Sequence, residues 1–213
     1  MNHRHSTLLT AAEQKQFSAA PTLTDDERQW CFTLTDAEQA VCDQFSDVFS
    51  QAHFVLLLGY FKVKKMRLVL TWGQTRHDLE YIFLRYFPTA PRPRQSLGKM
   101  ARSRIYRSIF KLTDYSLYTA SWRDKLTDNL NAVTLMCMNR RFAFDECLLW
   151  LEQHLVEIPA YTTLDKLISM TLQRIEARLL DRVRGATNTT ELNLLLALLD
   201  KADDHYGITA LRL

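Results

Sequence analysis

Glycine and proline are scarce in this chain, five of each in 213 residues, which argues against a many-stranded sheet, because tight turns draw on both. Cysteine is equally sparse. Cys31, Cys42, Cys137 and Cys147 form no Cys-x-x-Cys pair, so they read as reduced, buried apolar residues rather than as a disulfide framework or zinc ligands. No apolar run approaches the roughly 20 residues of a membrane span; the longest, Phe54–Phe61, is bounded by His53 and Lys62. The opening Met1-Asn2-His3-Arg4-His5 has no apolar core of a secretion signal, so a cytoplasmic, nucleoid-associated location is expected. Walker, Gly-x-Gly-x-x-Gly, His-Glu-x-x-His and Gly-x-Ser-x-Gly motifs are all missing, which removes the common phosphate-loop, zinc-hydrolase and serine-hydrolase chemistries. Of the histidines, only His3 and His5 are closely spaced, and they lie at the terminus; Asp203-Asp204-His205 follows a helix end and reads as an exposed cap. No catalytic residue, metal or cofactor is therefore expected.

What is abundant is positive charge in one place. Between Lys62 and Lys111 stand 13 basic and 2 acidic side chains, a net +11, whereas residues 1–61 carry −5 and residues 112–213 carry −3. The overall +3 hides this polarity. Segregated charge concentrates positive potential on one part of a surface, as neutralising a phosphate backbone requires, and nucleic acid is the expected partner.

The hydrophobic content of 47% fills a sizeable core, and the periodicity is helical throughout. The expected fold is all-α: a multi-helix bundle of two small helical modules with helix-turn-helix-like units. The N-terminal module spans 1–87, a Pro/Arg-rich linker or arm spans 88–95, and a basic helix plus C-terminal bundle spans 96–213. Leu9-Thr10-Ala11-Ala12-Glu13, Leu23-Thr24-Asp25-Asp26-Glu27 and Leu34-Thr35-Asp36-Ala37-Glu38 are three capping boxes, predicting helices from about residues 11, 25 and 36. The third runs to about Phe45, and an apolar helix follows over Val48–Lys62. That pair has helix-turn-helix spacing, yet its second helix is apolar nearly all round, which suits a core better than a groove in DNA.

A further helix is expected over Thr75–Tyr86, before the proline-rich segment Pro88–Arg94. Next comes a helix over Ser96–Lys111, with Leu97, Ala101, Ile105, Ile109 and Leu112 on one face and Lys99, Arg102, Arg104, Arg107 and Lys111 around the rest, with Tyr106 and Phe110 among them. A generic solvated face mixes signs; this one is cationic alone. A membrane surface attracts the same pattern, but the apolar face has the width for packing on neighbouring helices, which favours nucleic acid. Lys62, Lys64, Lys65, Arg67, Arg92 and Arg94 complete the candidate DNA-contacting set. Arg92 and Arg94 alternate with prolines, as a minor-groove arm or a solvated linker. Further helices are expected through Trp122–Cys137, from Phe144 to a break before Pro159, from a cap at Thr162-Thr163 to Gly185, and over Leu192–Leu199. Arg174, Arg178 and Arg182 share a face with Glu176 and Asp181 nearby, a solvated face or a second DNA contact.

These residues also carry a resemblance. Leu8-Leu9-Thr10-x-x-Glu13, Phe32-Thr33-Leu34-Thr35, the apolar Phe54–Phe61, the basic Lys99–Lys111 helix and Ile158-Pro159-Ala160-Tyr161-Thr162-Thr163-Leu164-Asp165-Lys166-Leu167 resemble, in order and spacing, the N-terminal region of replicative class II (Tn-three family) bacterial transposases, from about Leu8 to Leu199. The last element is the most specific. The resemblance implies helical modules that recognise the terminal inverted repeats of a transposon as double-stranded DNA, with the catalytic RNase H-like domain far downstream and absent here. It leaves open a homodimer formed through the remainder of a longer protein. One departure is plain: the family's apolar helix usually follows a basic stretch, and here Asp43-Gln44-Phe45-Ser46-Asp47 is acidic. The rival reading is a helical protein-protein interaction module whose basic surface meets an acidic partner.

Overall fold

All three capping boxes form. In the computed structural model, which describes residues 8–92 and 97–186 together with positions 190, 193, 201, 202, 205 and 206, the N–H of Glu13 donates to Thr10 Oγ1 (3.3 Å) while Thr10 N–H donates to Glu13 Oε2 (2.8 Å). Thr24/Glu27 and Thr35/Glu38 repeat the pattern. The helices that follow are α1 (Ala11–Ser18), α2 (Asp25–Phe32) and α3 (Asp36–Cys42), and α4 covers Val48–Lys64. Helix α3 stops short of Phe45 because Gln44 and Phe45 donate to carbonyls three residues back and tighten the chain into a turn. Helix α5 (Trp72–Tyr86) begins three residues before the expected Thr75, since Gln74 Oε1 accepts from the N–H and hydroxyl of Thr71 and anchors an earlier start.

Helix α6 covers Lys99–Thr113, α7 Ala120–Met136, α8 Arg140–Gln153 and α9 Tyr161–Ala186. Asn139 moves the start of α8 ahead of Phe144, its side-chain oxygen accepting from Arg141 and Phe142 N–H. That helix ends at Gln153, well before Pro159. Thr162 and Thr163 lie inside the first turn of α9 rather than capping it, and α9 passes through Gly185 to Ala186. The described residues are thus an all-α bundle, with a two-residue antiparallel pairing of Lys201–Ala202 with His205–Tyr206. The expected helix over Leu192–Leu199, apart from Asn193, and the Asp203-Asp204 pair lie outside the described residues.

Two cores organise the bundle. The first is centred on α4, whose residues Ala52 to Phe61 are all buried, so the helix-turn-helix formed by α3 and α4 holds its second helix inside the protein. Around α4 pack Phe32 of α2, Leu79 and Ile82 of α5, and Ile105 and Ile109 of α6. The second core joins α7, α8 and α9 through Leu126, Leu130, Phe144, Cys147, Leu151, Leu164 and Ile168, and takes in Leu8 and Leu9 from the start of the chain. Leu97 and the buried residues of α6 pack in the first core with those of α2–α5.

The segment Leu155–Ile158 stitches the two together. Ser116 N–H donates to Leu155 O (2.7 Å), Glu157 N–H to Ser116 O (2.9 Å) and Ile158 N–H to Lys65 O (2.8 Å). No helix among the described residues is long and apolar enough to cross a membrane.

Candidate nucleic-acid interface

The structure sorts the cations of residues 62–111 into two groups. In the first, Lys62 Nζ meets Glu38 at 2.8 Å. Lys64 Nζ, whose pKa is lowered by burial, donates to the carbonyls of Gln16 (2.9 Å) and Phe17 (3.5 Å) at the end of α1. Lys65 caps α4 in the left-handed region (φ 53°) with its ammonium over the Tyr115 ring. Arg67 grips Glu157 with two bonds of 2.6 and 2.8 Å. These four serve the fold. The two acids of the stretch are occupied as well: Asp78 is buried between Arg28 Nε (2.7 Å) and the Tyr60 hydroxyl (2.5 Å), and Glu80 pairs with Arg76 (3.0 Å). Among the described residues Arg85, held by the Tyr81 and Thr33 hydroxyls, and the exposed Arg92 also lack a carboxylate, and the remaining cations of the stretch stand together on α6.

Lys99, Arg102, Arg104, Arg107 and Lys111 have no carboxylate within ion-pair distance among the described residues. Lys99, Arg104, Arg107 and Lys111 are exposed and Arg102 is half-buried. Helix α6 has Gly98 at its N-cap and no acid in its first turn; instead Lys99 and Arg102 stand there, against the helix dipole, an arrangement that costs about 0.3–1 kcal/mol per cation. A helix arranged against its own stability in this way is suited to meeting an anion from outside.

The apolar side of α6 is broader than its sequence stripe. Tyr106 and Phe110, expected among the cations, are buried in the first core. The Tyr106 hydroxyl accepts from Leu68 N–H at 2.8 Å, and burial pushes its pKa up to about 12. Phe110 packs edge-on against Phe61 at 5.3 Å. The aromatics thus fix the rotation of α6 and turn its cations outward.

Beside α6 lies an open groove of about 940 Å³. Lys99, Arg102, Arg107 and Lys111 form one wall, Tyr115, Tyr118 and Trp122 contribute aromatic surface, and Ile158, Pro159, Ala160 and Thr163 form the other wall. The most specific element of the transposase resemblance is therefore placed across the groove from the basic helix. Its Tyr161 faces away, into the second core, where its hydroxyl accepts from Leu9 N–H (3.3 Å) and its ring meets Phe17 and Phe144. The sole acid lining the groove among the described residues, Glu157, is buried and committed to Arg67 and to the N–H of Tyr118 (3.1 Å).

Arg92 is exposed and lines a small hollow with Trp72, Leu79, Glu80 and Phe83, on α5 rather than on α6. Its expected companion in the arm, Arg94, lies outside the described residues. Arg174 borders a second groove, between α7 and α9, together with Lys166, Arg123, Asp124 and Asp128, a mixed-sign surface. Among the described residues no group of three or more His, Cys, Asp or Glu side chains is placed to hold a metal ion.

A comparison with curated proteins gives no match. The family model of a domain of unknown function, DUF4158, matches residues 8–171, from the Leu8-Leu9 pair through the first half of α9, and the chain belongs to that family.

Proposed function

We propose that the chain is a sequence-specific reader of duplex DNA, the part of a replicative transposase that recognises the terminal inverted repeats of its element, and that it binds without cutting. The observation that carries this reading is the set of five cations on α6 with no carboxylate partner among the described residues, next to a groove whose one acid among those residues is already paired. Such a face supplies the counterion-releasing contacts on which DNA affinity rests, and a rigid helix is the commonest element for reading base edges. The sequence resemblance to Tn-three family transposases supplies the biological context.

The test is selection from a random duplex library, followed by competition between the selected duplex and random duplex at fixed salt. A preference of about 10³-fold or more is expected of a specific site. An unenriched library would remove the recognition role, and an equal response to any polyanion would favour an acidic protein partner. Nicking of DNA by the pure chain with magnesium or manganese, lost on changing its own carboxylates, would overturn the binding-only reading.

A further inference from the structure

Helix α6 is a ridge between two depressions. On one side is the groove of about 940 Å³; on the other a hollow of about 400 Å³ is lined by Phe45 and Ser50. The side chains of α6 divide between them. Lys99 and Arg102 line only the first and Arg104 only the second, whereas Ser103 and Arg107 line both and so occupy the crest; Lys111, two turns beyond Arg104, returns to nearly the face of Arg104. The Arg104 guanidinium is drawn to its side by the Phe45 ring, 5.7 Å from the centroid. A helix about 10–12 Å across fills a major groove about 12 Å wide, and the two sugar-phosphate backbones then run along its two flanks.

We propose that α6 enters the major groove along this ridge, with Ser103 and Arg107 facing base edges, Lys99 and Arg102 meeting phosphates of one strand, and Arg104 meeting phosphates of the other. This rests on the duplex-DNA reading above and divides the cations between the strands and the base edges. Arg107 offers a fork of donors to a guanine, and Ser103 a hydroxyl that suits several bases. They stand one helical turn apart, roughly 6 Å along the axis, so the positions they read are about two base-pair steps apart.

The experiment uses the selected duplex with neutral methylphosphonate linkages introduced on one strand at a time, and measures binding by the unmodified chain and by the exposed-residue variants Arg104→Ala, Lys99→Ala and Arg107→Ala, each checked for retained helicity. The unmodified chain should lose affinity several-fold with neutral linkages on either strand. Arg104→Ala should lose most of its sensitivity to those on one strand, and Lys99→Ala should lose part of its sensitivity to those on the opposite strand, where Arg102 still meets phosphate. Arg107→Ala should remain sensitive on both and lose roughly 5- to 150-fold of its discrimination at a single base pair. Loss of sensitivity by Arg104→Ala and Lys99→Ala on the same strand, or a uniform loss by Arg107→Ala across all sequences, would overturn the ridge geometry while leaving specific binding intact. Absence of any sequence preference in the unmodified chain would overturn the DNA reading itself, and the ridge with it.

Discussion

Arg67 and Glu157, 90 positions apart, close on each other through two parallel bonds, Nε to Oε2 at 2.6 Å and Nη2 to Oε1 at 2.8 Å. The carboxylate is buried and the guanidinium half-exposed. The pair ties the turn after α4 to the strap between α8 and α9, and Glu157 also holds the backbone of Tyr118. It thereby fixes the floor of the groove beside α6.

Removing Arg67 leaves a buried carboxylate with only a backbone N–H for compensation. Arg67→Ala should therefore destabilise the fold by about 3 kcal/mol, and Glu157→Gln, which keeps the shape and one acceptor oxygen, by less. Denaturant unfolding of both variants checks the order. If the arginine variant is as stable as the unmodified chain, the pair does not hold the two cores in register.

Gly59 marks a close approach of α2 to α4. A Cβ there would meet Phe32 Cδ1 at 2.5 Å and Cε1 at 2.6 Å, with the Cys31 carbonyl at 3.0 Å, and the fully buried Phe32 ring has little room to withdraw. Alanine at a helical glycine ordinarily gains about 1 kcal/mol, but overpacking costs about 1–3 kcal/mol. Gly59→Ala should lower the melting temperature, whereas Gly73→Ala, in open space on α5, should raise it.

His53 is buried, with Nδ1 against the Phe49 carbonyl at 2.8 Å, and burial holds its pKa below the ordinary histidine value, partly opposed by that hydrogen bond and by Asp47. A base with a depressed folded pKa binds its proton more readily in the unfolded chain, so its contribution is complete above about pH 6.5 and is lost as pH falls through the folded value. Thermal unfolding between pH 7 and pH 5 should show a pH slope that His53→Gln flattens. An unchanged slope would place the acid sensitivity elsewhere.

Lys99 occupies the first position of α6, against the dipole. Lys99→Glu should stabilise the chain by about 0.3–1 kcal/mol, since an acid there is favourable, while weakening DNA binding. Opposite signs in the two assays would mark Lys99 as kept for a ligand rather than for the fold. Loss of both stability and binding would mean that it serves the helix.

Local signals in the sequence were good guides and long-range ones were not visible. The threonine-glutamate boxes located α1, α2 and α3 because each is closed by residues three apart. The cation-only face of α6 was visible for the same reason. Which cations are free was not: Lys62 finds Glu38, Arg67 finds Glu157 and Lys64 finds the end of α1, and no periodicity announces partners 24, 90 or 48 positions away. Tyr106 and Phe110 read as surface aromatics because a stripe through Ile105 and Ile109 looked complete; the groove walls from α7 and α9 arise only when the second core docks.

The most direct measurement is the dependence of duplex affinity on salt. Each phosphate neutralised contributes about 0.9 to the slope of log affinity against log salt, so the unmodified chain should show a slope of several units. Changing Lys99, Arg102, Arg104 and Lys111 together to alanine should reduce that slope by about 3–4 units, while Lys62→Ala, engaged with Glu38, should leave it unchanged at some cost in stability. A slope near zero in the unmodified chain, or a slope that survives the fourfold change intact, would contradict the assignment of α6 as the DNA-binding face.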